Sequence, residues 1–247
     1  MQSTSLAASP SSTAVPMPPA EETQERVAST RRRLLNMGEA VRAMVEQALA
    51  AVSERTARGA RSTFGALDRA VDREEMEIDR AAHALLCDGG LDTASLRVVV
   101  GALKSTTDLE RIGDEAVKLA HVGLALADFH LTAERRAIAA LGAPVLAMVA
   151  DALRALETLD VALAEDVIAR DDDVDLAYRR QAEGLRAQMC ADPTSLEQLV
   201  QVRFAAKCLE RIGDHATNLA EQAVFVATGA DVRHRWGKRV VDAERRP

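Results

Sequence analysis

The chain has little aromatic surface: one Trp, one Tyr and four Phe in 247 residues. Trp236, Tyr178 and the phenylalanines are scattered rather than interleaved with basic residues, which disfavours a nucleic-acid reader that stacks bases. Cysteine is equally sparse. Cys87, Cys190 and Cys208 lie too far apart for a disulfide framework or a Cys-type zinc site, so a reducing, cytoplasmic setting fits best. The longest apolar run, residues 137–150, is broken by Gly142 and Pro144 and falls short of a bilayer span, and the N-terminus lacks the pattern of a secretory signal. Proline is nearly absent where it would matter. Of seven prolines, four (Pro10, Pro16, Pro18, Pro19) crowd the first twenty residues, and only Pro144 and Pro193 fall between Ala20 and Arg246.

What is present is alanine, at 47 residues, in a chain 48% hydrophobic and 28% charged. That composition builds helices and a sizeable core. The net charge of −7 is unevenly spread, with an acidic body and a basic C-terminal stretch containing Arg233, Arg235, Lys238 and Arg239. An acidic body repels phosphate backbones, so nucleic acid is not an expected partner. Apolar residues at helical spacing (Leu34, Val41, Met44, Val45, Val52, and again Val145, Met148, Val149, Leu156) predict amphipathic helices. Breaks near Gly59 to Gly65, at Gly89-Gly90, at Phe129-His130, at Thr158 to Asp160 and at Asp192-Pro193 divide the chain into six. Asp92 is a candidate cap for the third helix, and Thr194 with Glu197 a candidate capping box for the sixth.

Residues 109–120 read LERIGDEAVKLA and residues 209–220 read LERIGDHATNLA, nine identities in twelve at an offset of 100. A period of that length suits a duplicated three-helix unit. The expected organisation is all-α: an N-terminal arm without fixed structure over 1–28, three-helix bundles over 29–130 and 131–228, and a basic tail over 229–247.

Within each copy a Glu and an Asp stand four apart (Glu110 and Asp114, Glu210 and Asp214), which puts both carboxylates on one helix face. Pairs of the same spacing lie on the preceding helix, Glu75 with Asp79 and Asp171 with Asp175. If those helices pack antiparallel, four carboxylates converge in each half. Their repulsion is most simply relieved by a bound cation, and all-oxygen sets suit Mg²⁺, Mn²⁺, Ca²⁺ or iron. Against this stands the ordinary alternative, since charged pairs at helical spacing are most often solvated surface. Gly113 and Gly213 cost about 1 kcal/mol each in a helix interior relative to Ala, which predicts close backbone approach or a packed ligand there. Arg111 and Arg211 are expected to form surface ion pairs.

The doubled LERIGD, the following ATNLAE at 216–221 and the upstream VIARDDDVD at 167–175 resemble the PhoU family. The resemblance spans about residues 30–228. It implies two symmetric three-helix bundles, a cytoplasmic and often dimeric protein (here expected as a homodimer), and negative regulation of phosphate uptake and of the phosphate-starvation response. The implied partners are the ATPase subunit of the phosphate ABC transporter and a sensor histidine kinase. It also implies carboxylate-bound metal ions on Glu75, Asp79, Glu110, Asp114, Asp171, Asp175, Glu210 and Asp214, with Mg, Mn, Fe and Zn all open. Two positions depart from the family pattern. Lys118 stands where the second half has Asn218, and Ser95-Leu96-Arg97 replaces Asp-Leu-Arg.

The Glu-x-x-His spacing of a di-iron oxidase is missing, because none of the five histidines has Glu three residues before it, and no phosphate loop or nucleophile elbow is found. A binding protein is therefore expected, not an enzyme. The competing readings are a metal-dependent hydrolase or oxidase using the same carboxylates, and a helical scaffold whose acidic pairs are plain surface charge. His215 is expected at a surface or interface, and Cys208 as a small packed side chain.

Overall fold

A computed structural model describes residues 19–53 and 60–232. Six long helices follow one another: α1 (Ala20–Ser53), α2 (Ala60–Asp88), α3 (Thr93–Ala125), α4 (Thr132–Thr158), α5 (Val161–Ala191) and α6 (Leu196–Thr228), with a single 3₁₀ turn at Pro193–Ser195 before α6. The N-terminal boundary differs from expectation. Residues 20–28 are the first turns of α1, because Glu21 and Glu22 favour the positive end of the helix and Thr23 and Val27 are buried. Residues 1–18 and the basic stretch from Arg233 onward lie outside the described residues.

The turns are set by local chemistry. Asp92 caps α3, its Oδ1 accepting from the Ser95 backbone N–H at 2.7 Å, after Gly89 and Gly90 turn the chain at φ of 72° and 75°. The predicted Thr194–Glu197 capping box is not formed. Pro193 starts the 3₁₀ turn, so Asp192 in front of it does the capping, accepting from the Thr194 N–H at 3.0 Å and the Thr194 hydroxyl at 2.6 Å.

Helices α1, α3, α4 and α6 pack on one another in a ring, α2 touches only α1 and α3, and α5 touches only α4, α6 and the 3₁₀ turn. One buried cluster runs from Leu34 to Val232 through both halves, so the two three-helix units share a core. Across the α1–α4 contact the repeat is reciprocal. The Arg31 guanidinium donates to the carbonyls of Leu156 (3.2 Å) and Glu157 at the end of α4, while Arg135, 104 positions on, donates to Val52 at the end of α1 and to Leu126. Arg31 and Arg135 thus satisfy last-turn carbonyls of α4 and α1 that have no partner within their own helix, at about 1.5–3 kcal/mol per charge-assisted bond. The same symmetry relates Gly38, over which Leu153 packs, to Gly142, over which Leu49 packs.

By length and composition α4 is the one described helix apolar enough to cross a membrane. Its residues Ile138, Val145, Met148, Val149 and Ala152 are instead buried in the shared core against α1, α5 and α6.

Candidate metal centres

The two LERIGD segments face each other where α3 crosses α6 antiparallel, with Asp108 meeting His215 and Glu115 meeting Arg211. Ile112 and Ile212 are fully buried beneath the motifs, turning the acidic residues of each helix toward its flanking neighbour. Gly113 and Gly213 are less crowded than their cost suggested. An added Cβ would lie 3.7 Å from Val71 Cγ1 at Gly113 and 3.5 Å from Val174 Cγ1 at Gly213, ordinary contact in both cases. The tight backbone approach is elsewhere, at Gly123, where a Cβ would sit 2.8 Å from the Ala51 carbonyl carbon.

Because Val71 and Val174 pack over equivalent glycines, α2 and α5 correspond at an offset of 103 residues. Residues 66–72, ALDRAVD, then align with 169–175, ARDDDVD. The first-half equivalents of Asp171 and Asp175 are therefore Asp68 and Asp72, two residues that the sequence reading missed, and the matching of Glu75 and Asp79 to that pair is corrected. The signal was present in the sequence as the repeated Ala-x-Asp-x-x-Val-Asp, at an offset three residues away from that of LERIGD.

In the second half, carboxylate oxygens of Asp175, Glu210 and Asp214 all lie within 4.8 Å of one another, the one such acidic convergence among the described residues. Desolvation in the groove, then repulsion from Glu210, Asp171 and Asp175, pushes the Asp214 carboxyl up to about 6, with Lys207 pulling the other way. Asp171, whose Oδ1 is 3.9 Å from where a Gly213 Cβ would lie, is raised by burial and then by Asp175, against the pull of the Thr217 hydroxyl. Two resident cations partly offset this charge: Lys207, bonded to Glu210, and Arg179, 3.0 Å from Asp175.

In the first half the acidic groove is longer and holds different cations. Asp68 is raised first by burial and then by the charges of Asp72 and Asp114; Glu110 is raised by burial, with Asp114, Asp72 and Asp68 adding to it. Glu75 is raised by burial and then by Glu110, Asp79 and Asp72, so it faces the groove one turn beyond Asp72. Asp79 is exposed at the far end, coupled to Glu75. Arg111 lies 3.3 Å from Glu110 and 3.8 Å from Asp114, and Lys118 lies 3.8 Å from Asp114. Arg111 thus sits on the acidic pair of its own motif, whereas Arg211 reaches across to Glu115 at 3.2 Å.

Between the grooves, polar groups tie α3 to α6. His215 Nδ1 lies 2.8 Å from Asp108 Oδ1, and Asn218 donates to the same oxygen at 2.9 Å, so both are interface residues pointing away from the acidic groove. At the symmetry-related point Glu115 is buried. Desolvation pushes it up, yet the bonds from Lys118 and Cys208 and the charges of Lys118 and Arg211 bring it below its ordinary value. Cys208 is buried, and desolvation followed by the Glu115 charge takes its thiol to about 12, so it packs rather than reacts.

The PhoU domain model matches twice, at residues 34–122 and 138–223, which are the bodies of α1–α3 and of α4–α6. The chain belongs to the PhoU family. It is 34% identical over 211 residues to a phosphate-specific transport system accessory protein PhoU homolog of Pseudomonas putida, covering 85% of this chain and 82% of that protein. A Caulobacter vibrioides homolog of the same description is 33% identical over 209 residues, covering 84% of this chain and 90% of its own. The crystal structure of PhoU from Pseudomonas aeruginosa superposes with a TM-score of 0.78 at 31% identity, covering 84% of this chain and 99% of that one. The phosphate transport system regulatory protein PhoU from Streptococcus pneumoniae, at 23% identity and a TM-score of 0.77 over 85% of this chain and 99% of its own, shares the fold. The PhoU domain thus occurs as a tandem in an all-α chain, as the doubled motif predicted.

Proposed function

We propose that this PhoU-family chain is a cytoplasmic negative regulator of phosphate uptake and of phosphate-starvation signalling, acting by association with other proteins and not by turning over a substrate. The observation that carries the reading is the coincidence of two PhoU domains with two carboxylate-lined grooves, one between α2 and α3 and one between α5 and α6. The partners proposed are the ATPase subunit of the phosphate ABC transporter and the sensor histidine kinase of the phosphate response, with the chain itself a homodimer.

The donor set fits hard or borderline cations, because the candidate ligands in each groove are all carboxylates and the repulsion among them is only partly offset by resident lysine and arginine. Asp171, Asp175, Glu210 and Asp214 would hold the second-half ion, and Asp68, Asp72, Glu110 and Asp114, with Glu75, the first. When bound, a di- or trivalent cation supplies charge neutralisation. The residues then fix the geometry: α5 is held to α6, and α2 to α3, so each groove presents one defined surface to a partner.

The test is phosphate uptake and starvation-gene expression in cells lacking this protein and any second copy, grown in excess phosphate. Starvation genes switched on despite plenty, and restored to silence by the wild-type chain but not by Glu210→Ala/Asp214→Ala, are the expected result. An unchanged response in the deletion strain overturns the regulatory reading. Repression by the double variant equal to wild type, with partner capture intact, overturns the role of the carboxylates.

A further inference from the structure

The second groove carries a device that the first lacks. Lys207 stands one turn before Glu210 on α6, its Nζ is bonded to Glu210 Oε2, and the same ammonium lies 5.4 Å from the centroid of the Tyr178 ring on α5. The Glu210 side chain is 12% exposed and that of Lys207 36%, so the carboxylate end of this bond is covered while the lysine reaches solvent. In the first half the equivalent positions are Thr107 and Glu75, which supply neither an ammonium nor a ring.

An ammonium hydrogen-bonded to a carboxylate that is also a metal donor must leave that oxygen when a cation takes it. Lys207 has a place to go, because its four-carbon stem pivots and the face of Tyr178 already attracts it. We infer that Lys207, beside Arg179 on Asp175, is a resident counter-ion of the second-half cluster, competing with metal for Glu210 and handed to the Tyr178 face when metal binds, so that the Lys207–Tyr178 pair helps set how much free metal the site needs. The inference rests on the metal reading above and concerns the regulation of that one site. It also makes the two halves unequal in kind: besides Arg179 on Asp175 the second site has a cation it can displace onto an aromatic ring, whereas the first has Arg111 and Lys118 and no ring at the position of Tyr178.

The experiment is calorimetric titration of the full-length chain with Mn²⁺ at fixed pH and ionic strength, the first cluster being silenced by Glu110→Gln and Asp114→Asn. Lys207→Met is expected to tighten Mn²⁺ binding by about tenfold, the scale of one charge-assisted bond that metal no longer has to break. Lys207→Arg, which keeps the competing cation, restores affinity to within about threefold of the parent. Tyr178→Leu, which removes the ring that receives the ammonium, weakens Mn²⁺ binding in the Lys207 background only. In the Lys207→Met background it has no effect, a non-additivity that a packing role for the ring would not produce. Unaltered or weaker Mn²⁺ binding by Lys207→Met, or equal effects of Tyr178→Leu in both backgrounds, overturns the Lys207–Tyr178 assignment while leaving the metal site standing. Failure of the parent to bind Mn²⁺, with circular dichroism showing it folded, overturns the metal reading and this inference together.

Discussion

The two acidic grooves share a backbone frame and differ in their counter-ions. In both, a Val of the flanking helix packs over the Gly of the motif, a buried Ile anchors the turn before it, and an Asp-x-x-x-Asp faces a Glu-x-x-x-Asp. The first groove adds Glu75 and balances it with Arg111 and Lys118 on α3; the second has Tyr178 in place of Glu75 and draws on Lys207 and Arg179. The difference teaches which positions packing holds and which it leaves free. Side chains that define helix distance stay paired after duplication, while surface charges that only tune the potential have drifted.

The comparison is broken most severely at the contacts that hold the halves together. Arg135 is buried and Arg31 half-exposed, although they make symmetric bonds. Arg135→Met should therefore lower the urea-unfolding free energy by about 3 kcal/mol and Arg31→Met by about 1, since carbonyls orphaned in the core lose more than carbonyls that water can reach. Equal losses would show that burial does not distinguish the two clamps.

The glycines come next. Gly123→Ala drives a Cβ onto the Ala51 backbone, which cannot step aside, and should cost about 2–3 kcal/mol with a matching fall in Tm. Gly213→Ala meets only ordinary contacts and gains helix propensity, so its stability should stay within about 1 kcal/mol of wild type. A large loss at Gly213 would restore the close packing that the sequence suggested.

Much of the fold was legible because alanine-rich amphipathic segments and the doubled LERIGD leave few alternatives to six helices in two units. Glu110, Asp114, Glu210 and Asp214 were legible for the same reason. Asp68 and Asp72 were not, because Glu75 and Asp79 form another acidic pair of the same spacing on that helix, with Glu75 standing 35 residues before Glu110 as Asp175 stands 35 before Glu210. The path from Asp72 to Glu110 is three residues longer, passing through Gly89-Gly90. Three residues fall about 60° short of a full turn, so Glu75, at the constant-spacing position, still faces the groove while Asp79 runs off its end. The reciprocal arginine clamps were invisible as well, since each joins a side chain to a backbone carbonyl more than 80 residues away.

Smaller effects sharpen the contrast between the grooves. The Asp214 carboxyl is raised to about 6 from 3.8, so the folded protein binds a proton more readily than the unfolded chain. By linkage this destabilises the metal-free fold above pH 6, and the penalty disappears as pH falls toward 4. With screening at this solvent-facing group the effect is small, and Asp214→Asn should raise the metal-free Tm at pH 7.5 by about 1–3 °C and by less at pH 5. A greater gain at pH 5 than at pH 7.5 would reverse the sign and refute the crowding. Smallest of all, thiol titration of the native chain should modify the exposed Cys87 and Cys190 within minutes and leave Cys208 until the protein unfolds.

The central claim is that both grooves hold metal through a flanking Asp-x-x-x-Asp and a motif Glu-x-x-x-Asp. It is tested most directly by the metal bound per chain after Mn²⁺ loading and gel filtration, measured by elemental analysis for wild type, Asp68→Asn/Asp72→Asn, Asp171→Asn/Asp175→Asn and Asp79→Asn. The account predicts that each double variant loses its own half's share and that Asp79→Asn loses none. Full metal content in both double variants would contradict it.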